Sequence, residues 1–255
     1  MRFAQCLQGS RNTGDTAPFR GLTVVGYAKN DLTNGYSLIV APFCEVGQDT
    51  DEAATSINKF IPVDSNGQTL GNATFQLQTK NAQGGLGKDY VYLLDGDDSN
   101  EGDGWFSGED WCTPADKTFK IGESFLFNSG VQGGTLTFDG QVVSRPLGLK
   151  LINGYQLLGN PRPTALPLAN IIPVDADGNT VGNAAFQLQT KNAQGGLGKD
   201  YVYLLDGDDS NEGDGWFSGE DWCTPADLIL QPCDGFLFNS ALTGAKLIIT
   251  ELKLN

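Results

Sequence analysis

The stretch DGDDSNEGDGWFSGEDW at residues 95–111 returns unchanged at residues 206–222. Between Asp95 and Asp110 it carries seven carboxylates and no Lys or Arg, so the two copies hold fourteen of the chain's 31 acidic residues. Carboxylates crowded this closely repel one another. A hard cation is one relief, because Ca2+ takes roughly six to eight oxygens and a Gly-rich loop can wrap carboxylates and carbonyls around it. The candidate ligands are Asp95, Asp97, Asp98, Ser99, Glu101 and Asp103, with Asp206, Asp208, Asp209, Ser210, Glu212 and Asp214 in the second copy. From Asp97 the order Asp97, Ser99, Glu101, Gly102 follows the start of an EF-hand loop, but Gly108 stands where the bidentate Glu is needed and the flanks read as strands. That excludes an EF-hand and leaves two readings open, a calcium loop and a merely solvated acidic loop. Asp175-Ala-Asp177-Gly-Asn179 and its counterpart Asp64-Ser-Asn66-Gly-Gln68 are weaker oxygen-rich turns, read as β-turns before ligand sets.

Aromatic residues sit beside the acids: Trp105, Phe106 and Trp111 after them, Tyr90 and Tyr92 before them, with repeat mates Trp216, Phe217, Trp222, Tyr201 and Tyr203. Trp105, Trp111, Trp216 and Trp222 could form a sugar-stacking platform, although aromatics in a β-module more often close the core beneath a loop. Glycoside hydrolysis needs two carboxylates at a set separation with divergent pKa values, and seven crowded acids in a Gly-rich loop are not that arrangement. The chain has no histidine, which removes the commonest general base, the catalytic pairs built on it and the usual zinc or haem ligand. GGLGK at 84–88 lacks the glycine and the Ser or Thr of a phosphate loop and reads as a hairpin turn. No catalytic residue is expected.

The elements that position these residues follow from a repeat. Residues 75–116 recur without change at 186–227, a shift of 111 positions, and flanking matches extend the similarity at a second shift of 119. The second copy therefore lacks eight residues near DEAATSIN (51–58). The expected organisation is an N-terminal arm (1–20), a first module (21–140) and a second (141–255). Within each copy, short runs such as YSLIVAPF, FQLQT, YVYLLD and SFLFN alternate or cluster β-branched and aromatic residues, separated by turn residues such as Asn34-Gly35. Helix is confined to one turn or two at 51–58. The expected fold is all-β, with two tandem β-sandwich (jelly-roll-like) modules.

Charge and cysteines narrow the partners. A net charge of −15 makes attraction to a phosphate backbone unfavourable, so no nucleic-acid partner is expected, and no apolar stretch is long enough to span a membrane. Five cysteines, Cys6, Cys44, Cys112, Cys223 and Cys233, form no CxxC pair; their odd number leaves a thiol over in an oxidising compartment, with five unreactive thiols as the alternative. Residues 1–20 carry Arg2, Arg11 and Arg20 against Asp15, a charge of +2 on a body of −17. Together with Cys6, these arginines mark the arm as an assembly element able to lie across the next subunit, a contact that repeats without closing. The pattern VVGY…NGYSLIVAPF…GWFSGEDW…ESFLFNS resembles β-rich repeats of secreted bacterial proteins in which a Gly-Trp loop precedes a Pro-Gly-x-Gly-Phe strand start; here that start is Ile121-Gly-Glu-Ser-Phe125 and Pro232-Cys-Asp-Gly-Phe236. The resemblance implies an extracellular or cell-surface tandem β-module and brings no activity with it. The expectation is a non-enzymatic, self-assembling structural subunit of a filament or surface layer, a head-to-tail homopolymer with calcium at its acidic loops. A secreted glycan-binding or adhesive module is the alternative.

Overall fold

The computed structural model describes residues 23–48, 50–80, 86–191 and 197–250. The first repeat contributes β1 (Val25–Asp31), β2 (Gly35–Val40), β3 (Ala54–Ser56), β4 (Ile61–Val63), β5 (Phe75–Lys80), β6 (Leu86–Leu93), β7 (Gly104–Ser107), β8 (Thr118–Lys120), β9 (Ser124–Ser129) and β10 (Thr135–Gln141). The second contributes β11 (Leu147–Lys150), β12 (Gly154–Gly159), β13 (Leu166–Pro167), β14 (Ile171–Val174), β15 (Phe186–Lys191), β16 (Leu197–Leu204), β17 (Gly215–Ser218), β18 (Ile229–Leu230), β19 (Gly235–Ser240) and β20 (Lys246–Ile249). Every pairing among them is antiparallel.

Each repeat builds the same three sheets, in the first a five-stranded β2-β9-β5-β6-β7, a three-stranded β1-β10-β4 and a ribbon β3-β8. The period-two reading of FQLQTK holds residue by residue: Phe75, Leu77 and Thr79 point inward on β5 while Gln76 and Gln78 face outward. β5 and β6 are antiparallel neighbours; of the GGLGK segment read as a turn, Leu86, Gly87 and Lys88 begin β6, and residues 84 and 85 lie outside the described ones. Asp64 Oδ1 accepts from the amides of Asn66 and Gln68 at 2.8 and 2.9 Å, and Asp175 does the same for Asp177 and Asn179, so both oxygen-rich turns are side-chain-capped β-turns. The helical turns expected at 51–58 are instead β3 and a single 3-10 turn, Ile57–Lys59; Thr55 is buried in the strand, and the Ser56 hydroxyl accepts from Asn58 N at the turn's start.

The repeats meet about a pseudo-twofold axis. Val40 N donates to Cys233 O at 3.1 Å, and Gly159 N donates to Gly122 O at 3.0 Å; under the 119 and 111 shifts these are the same bond seen from either side. The bridges Ile39 to Asp234 and Glu123 to Leu158 are related in the same way. Such an interface is isologous and closes on itself. Its sides also interlock, because Cys44, Ala53 and Ile121 of the first repeat belong to the second repeat's core while Cys233 belongs to the first's. The all-β class therefore stands, but the expected pair of separate sandwiches is corrected. The four larger sheets follow one another as a propeller-like ring, because strands at the interface continue hydrogen bonding into the opposite repeat.

Cys233 shows how the two sides diverged. Its counterpart Gly122 has φ +81°, and Cys233 holds the same left-handed region at +70°, where a side chain is strained. A Cβ on Gly122 would meet Leu149, which already fills that space, whereas the Cys233 side chain fills the first repeat's core. Burial, with Asp234 beside it, pushes the Cys233 thiol up to about 12, so it is inert at neutral pH.

Candidate functional site

Each acidic loop connects the second and third strands of a hairpin series, β6 to β7 and β16 to β17. Its inner carboxylates are bound to backbone amides, of the loop itself and of the segment before β5. Asp97 Oδ2 accepts from the amides of Asn72 and Leu94 at 2.7 and 2.8 Å, Asp95 Oδ1 accepts from Gly102 N at 2.7 Å, and Asp103 Oδ1 accepts from Asp95 N at 2.9 Å. The second loop repeats every one of these: Asp208 with Asn183 and Leu205 at 2.6 and 2.8 Å, Asp206 with Gly213 at 2.8 Å, Asp214 with Asp206 N at 2.8 Å. Asn72 and Ala73 hold φ of +48° and +55°, a local strain consistent with aiming an amide at the Asp97 carboxylate. A Cβ on Gly71 would fall on that carboxylate, as one on Gly182 would on Asp208, so glycine is required at both positions.

The centre of the loop is a residue the sequence did not mark. Asn100 is buried; its Oδ1 accepts from Asp98 N at 3.0 Å, and its Nδ2 donates to Leu94 O and Gly102 O at 2.8 and 3.0 Å. Asn211 does the same in the second loop. An amide is the one side chain that can accept from one strand of the loop and donate to both ends of it. In sequence it looks like any turn asparagine.

Of the other expected ligands, Asp98 and Ser99 are exposed, as are Glu101, Asp209, Ser210 and Glu212. Among the described residues no group of three or more His, Cys, Asp or Glu side chains is gathered to hold a metal ion. Trp105 is 2% exposed, donates Nε1 to Phe60 O at 2.8 Å and packs edge-on to Tyr92 and Phe127 at 5.4 and 6.1 Å; Trp216 is its mate, donating to Ile171 O. Both indoles are core residues. Trp111 and Trp222 are half-buried at φ +57° and +58° and cover the small clusters Val91, Leu93, Phe106 and Val202, Leu204, Phe217 on the outer face of each five-stranded sheet. Burial raises the Tyr92 and Tyr203 phenols, with Asp103 and Asp214 adding a smaller push in the same direction. The arm residues Arg2, Cys6, Arg11 and Arg20 lie outside the described residues.

A second feature lies at the repeat interface, away from both loops. A cleft of about 290 Å3 is lined by Asp51, Glu52, Lys80, Lys120, Glu123, Ser124, Lys150 and Gln156 over a floor that includes Leu149, Leu157 and Leu158. Glu52 binds Lys120 of its own repeat and Lys150 of the other, the latter at 2.5 Å, and these bonds hold its carboxyl down at about 2. The signal that could have found this cleft was the eight-residue insertion that brings Asp51 and Glu52, present in the first repeat only. Among the described residues no helix is long and apolar enough to cross a membrane. Set against protein families, characterised proteins and solved structures, the chain matches none of them.

Proposed function

We propose that this chain is a non-enzymatic structural protein of the cell exterior, a subunit that assembles head to tail into a filament or surface layer. The observation behind this reading is the duplication of one rigid acidic surface. The two loops agree bond for bond within 0.1 Å, and they expose the same side chains, Glu101, Glu109 and Asp110 in one repeat and Glu212, Glu220 and Asp221 in the other. A chain that presents one surface twice is a bivalent node. Its pseudo-twofold interface is already closed within the chain, so growth must use outer surfaces. β1 offers one: seven residues long, it pairs with β10 on one side and carries the exposed Tyr27. The basic arm of residues 1–20 is the proposed contact with the acidic face of the next copy. Calcium enters this reading between copies, where carboxylates of neighbouring loops would share it, rather than within one loop. The stacking role of Trp105 and Trp216 is not carried forward, because both indoles sit in the core.

The test is sedimentation velocity of the full chain and of a chain lacking residues 1–20, each across a concentration series with calcium and with chelator. The full chain is expected to form large species that the truncated chain does not. Unaltered assembly of the truncated chain would remove the arm from the account, and a full chain that stays monomeric throughout would overturn the proposal.

A further inference from the structure

The cleft between the repeats contains two donors that the protein itself leaves incompletely used. The Ser124 hydroxyl is buried, 2% of the residue being exposed, and makes no hydrogen bond in the described structure. The Lys80 ammonium reaches across the interface to the Tyr155 carbonyl and has no carboxylate partner among the described residues, although Asp51, Glu52 and Glu123 line the same cleft. Those acids are engaged elsewhere: Asp51 with Arg145 at 2.8 Å, Glu52 with Lys120 and Lys150, and Glu123 with Lys117 at 2.9 Å. A buried hydroxyl without a partner is costly, and native structures seldom leave one without a ligand, a water or a functional reason.

Part of the polar lining of the cleft belongs to one side of the pseudo-twofold only, although Lys80 and Glu123 have Lys191 and Asp234 as their mates. Where the cleft has Lys120, Ser124 and Lys150, the equivalent positions across the axis are Gln231, Gly235 and Asp31. Gly235 packs directly on Leu38, where a Cβ would come within 2.9 Å of the backbone. Lys80 lies in the block that is unchanged between the repeats, so what distinguishes this side is the set Lys120, Ser124 and Lys150 gathered around it. We propose that this cleft binds a small hydroxylated carboxylate of sugar-acid size, its carboxylate on Lys80, its hydroxyls on Ser124 and Gln156, and its less polar face on Leu149, Leu157 and Leu158. The volume of about 290 Å3 accommodates a single such unit and not a chain of them. A carboxylate answers an ammonium held otherwise by the Tyr155 carbonyl and ring, hydroxyls answer the serine and glutamine, and the leucine floor disfavours a bare inorganic anion, which has no apolar face to bury. This site is independent of the proposed assembly, and its test reads binding to the full chain whether or not that chain polymerises.

The test is isothermal titration with D-glucuronate, D-glucose, acetate and inorganic phosphate as probes, backed by melting curves in each. D-glucuronate is expected to bind saturably with Kd of about 1 mM or tighter and to raise the melting temperature, at least tenfold better than the other three. Lys80→Gln should weaken that binding at least tenfold. Ser124→Ala should raise the melting temperature of the unliganded protein, by removing an unpartnered buried hydroxyl, while weakening D-glucuronate binding; a purely structural serine would not move the two readouts in opposite directions. No saturable binding of D-glucuronate, or binding unchanged in both variants, would overturn the site. Equal binding of phosphate or acetate would overturn its assignment to a sugar acid.

Discussion

Replacing Asp97 by Ala separates an architectural carboxylate from a merely crowded one. Asp97 Oδ2 accepts two backbone amides, those of Asn72 and Leu94 at 2.7 and 2.8 Å, and the first of these donors sits on a strained left-handed residue. A hydrogen bond to a charged acceptor contributes about 1.5–3 kcal/mol when protected; Asp97 is half-exposed, so about 1 kcal/mol each, or about 2 kcal/mol in all, is the appropriate figure. In a chain of this length that corresponds to a fall in Tm of about 4–8 °C. The pseudo-symmetry supplies the internal control, because Asp208→Ala removes the same bonds from the second loop and should cost the same. Asp98→Ala supplies the contrast: only its backbone N–H is engaged, with Asn100, so losing the carboxylate relieves repulsion and should leave Tm unchanged or slightly higher. The assay is differential scanning calorimetry of the three variants beside the parent chain. A Tm for Asp97→Ala equal to or above the parent's would refute the reasoning, since charge crowding would then outweigh the amide bonds.

Arg162 is 1% exposed and donates to the carbonyls of Val143, Arg145 and Thr250, so Arg162→Met leaves these acceptors buried without it; denaturant unfolding should show a loss of about 3–5 kcal/mol. Trp105→Phe removes the bond to Phe60 O and part of a filled core, for a loss of about 2–3 kcal/mol in the same experiment, and Trp216→Phe should match it. The folded pKa of Glu52, about 2, lies below its ordinary value of 4.5, so the stability it contributes is present above pH about 4.5 and is lost as pH falls toward about 2. Glu52→Gln should flatten the melting temperature across that window, and salt should do so partly, because the group is exposed.

The strand content was legible because its signal is local. In FQLQTK the side-chain alternation is the burial pattern itself, and the Asn-Gly and Asp-x-Asn-Gly turns name their own chemistry. The short strand Ala54–Ser56 was hidden, because its partner Thr118–Lys120 lies more than sixty residues on and nothing local in DEAATSIN announces the pairing. The sheet arrangement was hidden for the same reason: the bonds from Val40 to Cys233 and from Gly159 to Gly122 join positions that only the folded pair brings together. Within the loops, the sequence showed charge and glycine but not direction. The same letters describe carboxylates turned toward a cation or toward backbone amides, and Asn100 carries no mark of being the loop's centre. The cleft lies across the interface, so Lys80, Ser124 and Lys150 are neighbours only once the repeats have docked.

Self-assembly is the central claim, and electron microscopy of the purified full-length chain in negative stain, with calcium and with chelator, tests it most directly. Regular filaments or sheets are the predicted result, and their loss in chelator would place the cation between the acidic loops of neighbouring copies. Uniform single particles under both conditions would contradict the claim.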